Sequence, residues 1–168
     1  ILISIVNSGH NSTDNEDLKT QKSFLIFLTL FMIMGALLWG IISLFYGLIL
    51  QSCIPFGYIS GSALNIIYFR KSKDFNTVRA IQVFLSLVLP FIFQWSLGGF
   101  LPSGFIMLWS LLSLIASLSF QKVTSTFLWL FIFIALTAFS GLIDGYLNQH
   151  IKPSNLNDFS LQFTILNI

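Results

Sequence analysis

Residues 24–48 form a run without a single charge. A helix crosses the hydrocarbon core of a bilayer with about 20 consecutive apolar residues, so this stretch is long enough to span. Further apolar runs follow at about 56–69, 80–95, 105–120 and 126–143, and the chain turns apolar again from Phe159. Only 8% of the 168 residues are charged and 55% are hydrophobic. Soluble domains carry roughly 25% charged residues. With so few charges the chain cannot cover its outside with polar side chains, and lipid has to be the solvent for much of its surface. The nineteen Phe supply bulky lipid-facing surface on several helices. The expected fold is all-α, a polytopic transmembrane helix bundle with five complete spans plus the start of a sixth at residues 163–168. Residues 1–23 read as a polar cytoplasmic lead-in and 24–168 as the bundle, cut off in its sixth span.

The links between spans set the orientation. Gln51 to Pro55 read as a break, since proline cannot continue the helical hydrogen-bond ladder. Arg70, Lys71, Lys73 and Arg79 crowd the link between spans two and three, and Lys122 sits between spans four and five. Lys19 and Lys22 precede span one, while the first-to-second and third-to-fourth links hold no basic residue. This alternation places the N-terminus in the cytoplasm. A multi-pass protein of the inner (plasma) membrane is the expectation. Lys152, accompanied by Asp144 and Asp158, is a minor exception. The chain opens on Ile1 and closes within an apolar run at Ile168, which reads as an excerpt from a longer protein.

Helices associate in lipid through close backbone approach and interhelical hydrogen bonds. Small and polar residues at helical spacing are therefore the candidates for bundle-facing sides. Gly57, Gly61 and Asn65 step by four in span two, and Gln82, Ser86, Pro90, Gln94 and Gly98 step by four in span three. Span four carries Ser110, Ser113 and Ser117, and span five carries Thr137, Ser140 and Gly141. Gly57-xxx-Gly61 reads as packing within one chain, with a dimer contact as the alternative. Pro90 kinks span three. Gly98, Gly99, Ser103 and Gly104 form the turn that stops it. Trp95 suits an interfacial anchor, while Trp109 falls further in and reads as packing.

Little here can carry chemistry. No phosphate-cradling Gly-rich loop precedes a Lys-Ser or Lys-Thr pair. His10 and His150 lie far apart, and the single cysteine, Cys53, rules out an internal disulfide and a cysteine-cluster metal site. No metal site and no catalytic residue is expected, and a net charge of +2 is no field for nucleic acid. Asn11-Ser12-Thr13 matches a glycosylation pattern but falls on the cytoplasmic side. Asp144 is the only acidic residue close to a span's core, and an ionisable group in a membrane is a functional candidate by default. Its bland alternative is a solvated helix end. Gln94 and Asp144 are the candidates for a ligand or signal site.

Residues 89–109 are more specific. Leu89-Pro90, then Gly98-Gly99-Phe100, Ser103-Gly104 and an apolar run closing on Trp109 resemble the six-span membrane domain that precedes class III adenylate/guanylate cyclase catalytic domains in bacteria. The basic link at residues 70–79 and the terminal Leu166-Asn167 are similar to that family as well. One position departs: Leu114 stands where the family tends to carry a proline. The resemblance implies a six-helix membrane anchor and sensor of a signalling protein, followed by a cytoplasmic cyclase domain. It also implies a homodimer, with ATP and Mg or Mn held in the cyclase domain and no cofactor in this chain. The same module on a histidine kinase is an alternative, as is a small transporter or channel-like bundle acting alone. The residues name no ligand and do not separate cyclic AMP from cyclic GMP.

Overall fold

The computed structural model describes residues 14–120, 123–151 and 153. Every element among them is helical: α1 Glu16–Phe45, α2 Ile49–Ser72, α3 Phe75–Ser96, a single turn α4 Phe100–Ser103, a 3-10 turn Ile106–Trp109, α5 Ser110–Phe120 and α6 Val123–His150. The candidate sixth span, His10, the Asn11-Ser12-Thr13 triplet, Lys122, Lys152 and Asp158 lie outside the described residues.

Among the described residues, three helices are long and apolar enough to cross a membrane: Glu16–Phe45, Phe75–Ser96 and Thr124–His150. Five complete spans were expected, and the two others differ for separate reasons. Helix α2 has 24 residues, roughly 36 Å at the rise of an α-helix. It has the length, but Gln51, Ser52, Ser60, Ser62 and Asn65 dilute its apolarity. The run expected at 105–120 is interrupted. Gly104 and Phe105 both take the left-handed conformation, at φ 62° and 59°, and the tighter 3-10 turn precedes the eleven residues of α5.

Helix boundaries also move. Helix α1 starts at Glu16 rather than Phe24, because Asn15 caps it and accepts the Leu18 N–H at 2.8 Å. Glu16 and Asp17 in its first turn suit the positive end of the helix dipole. The break after α1 falls at Tyr46–Leu48, where Gly47 adopts φ 72°. Pro55 does not break the chain as expected and lies inside α2. Helix α6 continues past Ile143 to His150, which puts Asp144 within the helix and not at its end.

Helices α1, α2 and α3 run antiparallel in sequence order. The pairings Gln51–Ser96, Tyr58–Ser86 and Asn65–Val78 show that order between α2 and α3. Helix α3 packs against every other described element. Two apolar clusters close the ends of this three-helix layer. Leu25, Ile26, Phe69, Phe75 and Val78 sit at the basic end, and Trp39, Leu48, Phe93, Leu97 and Ile106 at the other. At the basic end Lys22 is buried. Its ammonium pairs with Asp14 at 2.7 Å and lies 5.8 Å from the centre of the Phe69 ring. A buried cation needs such a partner to offset its lost hydration.

Candidate functional site

The most concentrated polar chemistry lies in the seam between α2 and α3. The Gln82 amide nitrogen donates to Tyr58 Oη at 3.0 Å and Ser62 Oγ at 3.1 Å, with Ser86 Oγ at 3.4 Å. Its carbonyl accepts from Asn65 Nδ2 at 3.2 Å, and the same nitrogen reaches Val78 O at 2.9 Å. Tyr58 Oη and Ser86 Oγ lie 3.0 Å apart. All five side chains are buried. The spacing of Tyr58, Ser62 and Asn65 on one helix, against Gln82 and Ser86 on an antiparallel neighbour, brings them into register. The network carries no charge, so it binds the helices without ionic desolvation.

Of the span-two stripe, Asn65 enters this seam. Gly61 borders it, since a Cβ there would touch Leu85 Cδ1 at 3.4 Å. Gly57 stays outside: it is exposed, and nothing lies within 4 Å of the Cβ position. Tyr58 and Ser62 were not singled out in the sequence. Tyr58 reads there as one aromatic among many, and only the register against α3 gives its hydroxyl two partners.

A second polar group gathers at the opposite end, around the turn that follows α3. Asp144 Oδ1 accepts the Phe100 N–H at 2.8 Å and so caps the one-turn helix α4 from across the bundle. Gly99 makes that approach possible: its φ is 110°, and a Cβ would run into the Asp144 carboxylate. Gly98 also has a positive φ, 97°. Gly104 ends α4 in the left-handed conformation, and Ser103 Oγ donates to Phe100 O at 3.1 Å. Trp95 Nε1 donates to Ser140 Oγ at 2.8 Å and ties α3 to α6. Gly99 and Asp144, distant in sequence, are thus one contact.

Gln94 sits in the last turn of α3 and is fully buried. Neither of its amide atoms has a hydrogen-bond partner among the described residues. Leaving a buried amide atom unpaired costs about 1–3 kcal/mol. The Gln94 amide is not hydrogen-bonded to Asp144; the Gln94 backbone carbonyl accepts the Gly99 N–H at 3.1 Å.

Between these two polar groups lies an apolar cavity of about 50 Å³. Pro55 of α2 and Pro90 of α3 both line it, with Gly35, Trp39, Phe93 and Trp109. Each proline removes a ladder donor, from the Gln51 and Ser86 carbonyls respectively. Gly35 gives the Trp109 ring its place: a Cβ there would come within 2.6 Å of it. Trp109 also stacks on Phe31, with ring centres 6.0 Å apart.

No group of three His, Cys, Asp or Glu side chains comes together among the described residues in a way that could hold a metal ion. His150 stacks on Tyr146 at the end of α6, and Cys53 is exposed.

No family model, no curated protein and no solved structure matches the chain.

Proposed function

We propose that this chain is the membrane anchor and sensor module of a signalling protein, with the output domain C-terminal to it. A nucleotide cyclase is the output implied by the resemblance of residues 89–109. ATP and its Mg or Mn ion then belong to that domain, and the homodimer forms through the whole protein. The observation that carries the reading is the seam of Tyr58, Ser62, Asn65, Gln82 and Ser86. A transporter turns intramembrane polar groups toward a path. Here Tyr58, Ser62, Asn65, Gln82 and Ser86 bond to one another, which supports a bundle that holds a shape and passes on a change in it.

A shape change of that kind needs two helix arrangements that a stimulus binds differently. Two candidate points for such a change are the cavity beside Pro55 and Pro90 and the Asp144–Phe100 tie. The test is to express the uninterrupted reading frame in membranes and to measure cyclic AMP and cyclic GMP. Residues 1–168 alone are expected to turn over no ATP, while the full protein is active. Substrate-dependent flux through liposomes holding only this chain overturns the reading and favours a transporter, more so when Asp144→Asn abolishes the flux. A phosphotransfer activity in place of cyclic nucleotide moves the same module onto a histidine kinase.

A further inference from the structure

The basic end of the bundle carries a feature that shares only Asn65 with the network. Between α2 and α3, beside the turn Lys73–Asp74, lies a groove of about 280 Å³ lined by Gly61, Leu64, Asn65, Tyr68, Thr77 and Ile81. Leu64, Tyr68 and Ile81 are exposed, so the groove opens on the outer surface of the bundle. Gly61, Leu64 and Ile81 make its inner part apolar, and Asn65 forms part of its wall.

Beyond the groove's uncharged lining, the end of α2 is basic. Leu64, Tyr68 and Lys71 stand at i, i+4 and i+7 on α2 and share a face, so the groove runs toward Lys71. Arg70 and Lys71 lie in the last turn of α2, and Lys73 caps it. Arg79 follows one turn into α3, where it holds Asn76 and covers the Phe75 ring. A single carboxylate stands among these four cations. Asp74 accepts the Thr77 hydroxyl at 2.6 Å and the Thr77 N–H at 3.2 Å. Arg70 and Lys71 are exposed, and no carboxylate among the described residues pairs with them.

The geometry points to a binding site for one anionic phospholipid of the surrounding leaflet. One acyl chain lies along Gly61, Leu64 and Ile81. The phosphate meets the Lys71 ammonium and the Tyr68 hydroxyl. Charge complementarity selects this occupant. A neutral lipid leaves Lys71 without an anionic partner, and a second copy of the chain brings a second set of the same cations. A soluble anion makes no use of the apolar length of the groove. The site is independent of which output domain the protein carries.

The experiment uses the purified chain in a neutral detergent, with lipid retention read by native mass spectrometry. Phosphatidylglycerol and phosphatidylcholine of equal chain length are titrated in parallel. Phosphatidylglycerol is expected to be retained preferentially. A basic side chain at an anionic membrane surface contributes enough that Lys71→Gln binds it roughly 5-fold more weakly. Leu64→Trp fills the groove at an exposed position, leaves every charge in place and is expected to weaken retention as well. Equal retention of the two lipids overturns the site. So does full retention by Leu64→Trp, which reduces the effect to surface charge. Displacement of the lipid by chain-free glycerophosphoglycerol at equal concentration also overturns it, since the headgroup alone then suffices.

Discussion

Helices α3 and α6 are both long and apolar enough to cross a bilayer, yet the bundle treats them differently. In α3, 39% of the most apolar stretch is buried inside the bundle; in α6 only 11% is. Apolarity does not account for this, because α6 is the more hydrophobic of the two, with mean hydropathies of 2.2 and 1.6. The difference lies in where the polar side chains go. Gln82 and Ser86 of α3 bond across to α2. Thr137 and Ser140 of α6 donate back to their own helix, to Phe133 O and Leu136 O. Helix α6 then turns Phe127, Phe131 and Leu142 outward. It is held by edge-on ring contacts of Phe133 and Phe139 with Phe91 and Trp95, together with the Ser140 and Asp144 bonds. In lipid, where apolar surface alone gives no reason to associate, cross-helix hydrogen bonds and close packing decide which helix is central.

The sharpest way to break this contrast is Gln82→Leu. It removes the amide that serves Tyr58, Ser62 and Asn65 and leaves those groups buried. A loss of about 3 kcal/mol is expected, at about 1 kcal/mol for each bond lost. Unfolding of the chain in mixed micelles measures it, and a loss no larger than that of a surface variant would show that the seam is not what holds α2 to α3.

Gly99→Ala tests the α6 side. It places a Cβ at φ 110° and against Asp144, a backbone region that is essentially glycine-only. About 2 kcal/mol is expected, with faster amide exchange at Phe100 as the local signature. Should Asp144→Ala restore part of that loss when combined with Gly99→Ala, the clash and the cap are one coupled contact.

Gln94→Leu sharpens the picture within α3 itself. The substitution is the same as at Gln82, but Gln94 has no side-chain partner among the described residues. A gain of about 1 kcal/mol is expected from relieving unpaired amide atoms. Destabilisation instead of a gain would mean that the Gln94 amide is bonded in the membrane.

The smallest effect is one of pH. The Thr77 hydroxyl and backbone N–H hold the Asp74 carboxyl below its ordinary value of 3.8. A depressed folded value means that the carboxylate stabilises the cap of α3 in full above the unfolded value. That contribution fades as pH falls through the folded one. Between pH 7 and pH 5 the exchange rate of the Thr77 amide, corrected for its intrinsic pH dependence, should therefore stay constant, and below the ordinary carboxylate value it should rise. A rise already at pH 5 would place the cap's titration elsewhere.

Much of the fold was legible because lipid is a severe solvent. Charge-free runs of span length need helices, and the basic cluster at residues 70–79 does mark a turn between two of them. The stripe of Gln82 and Ser86 was readable at a spacing of four, because a buried polar side chain in an apolar helix needs a partner. Its partners were not, since Tyr58 and Ser62 are set by the register of two antiparallel helices. Sequence by itself determined that this chain is helical and dominated by apolar segments, because hydrophobic length is a local property. Tertiary structure decided which of those segments are continuous. It kept Pro55 inside α2, where it is buried beside Trp39 and Pro90. It split the run after Phe105 through two left-handed residues. It also carried α6 past Ile143, so that Asp144 meets the turn at Gly99. The last of these depends on a contact between residues far apart in the chain, and no local pattern records it.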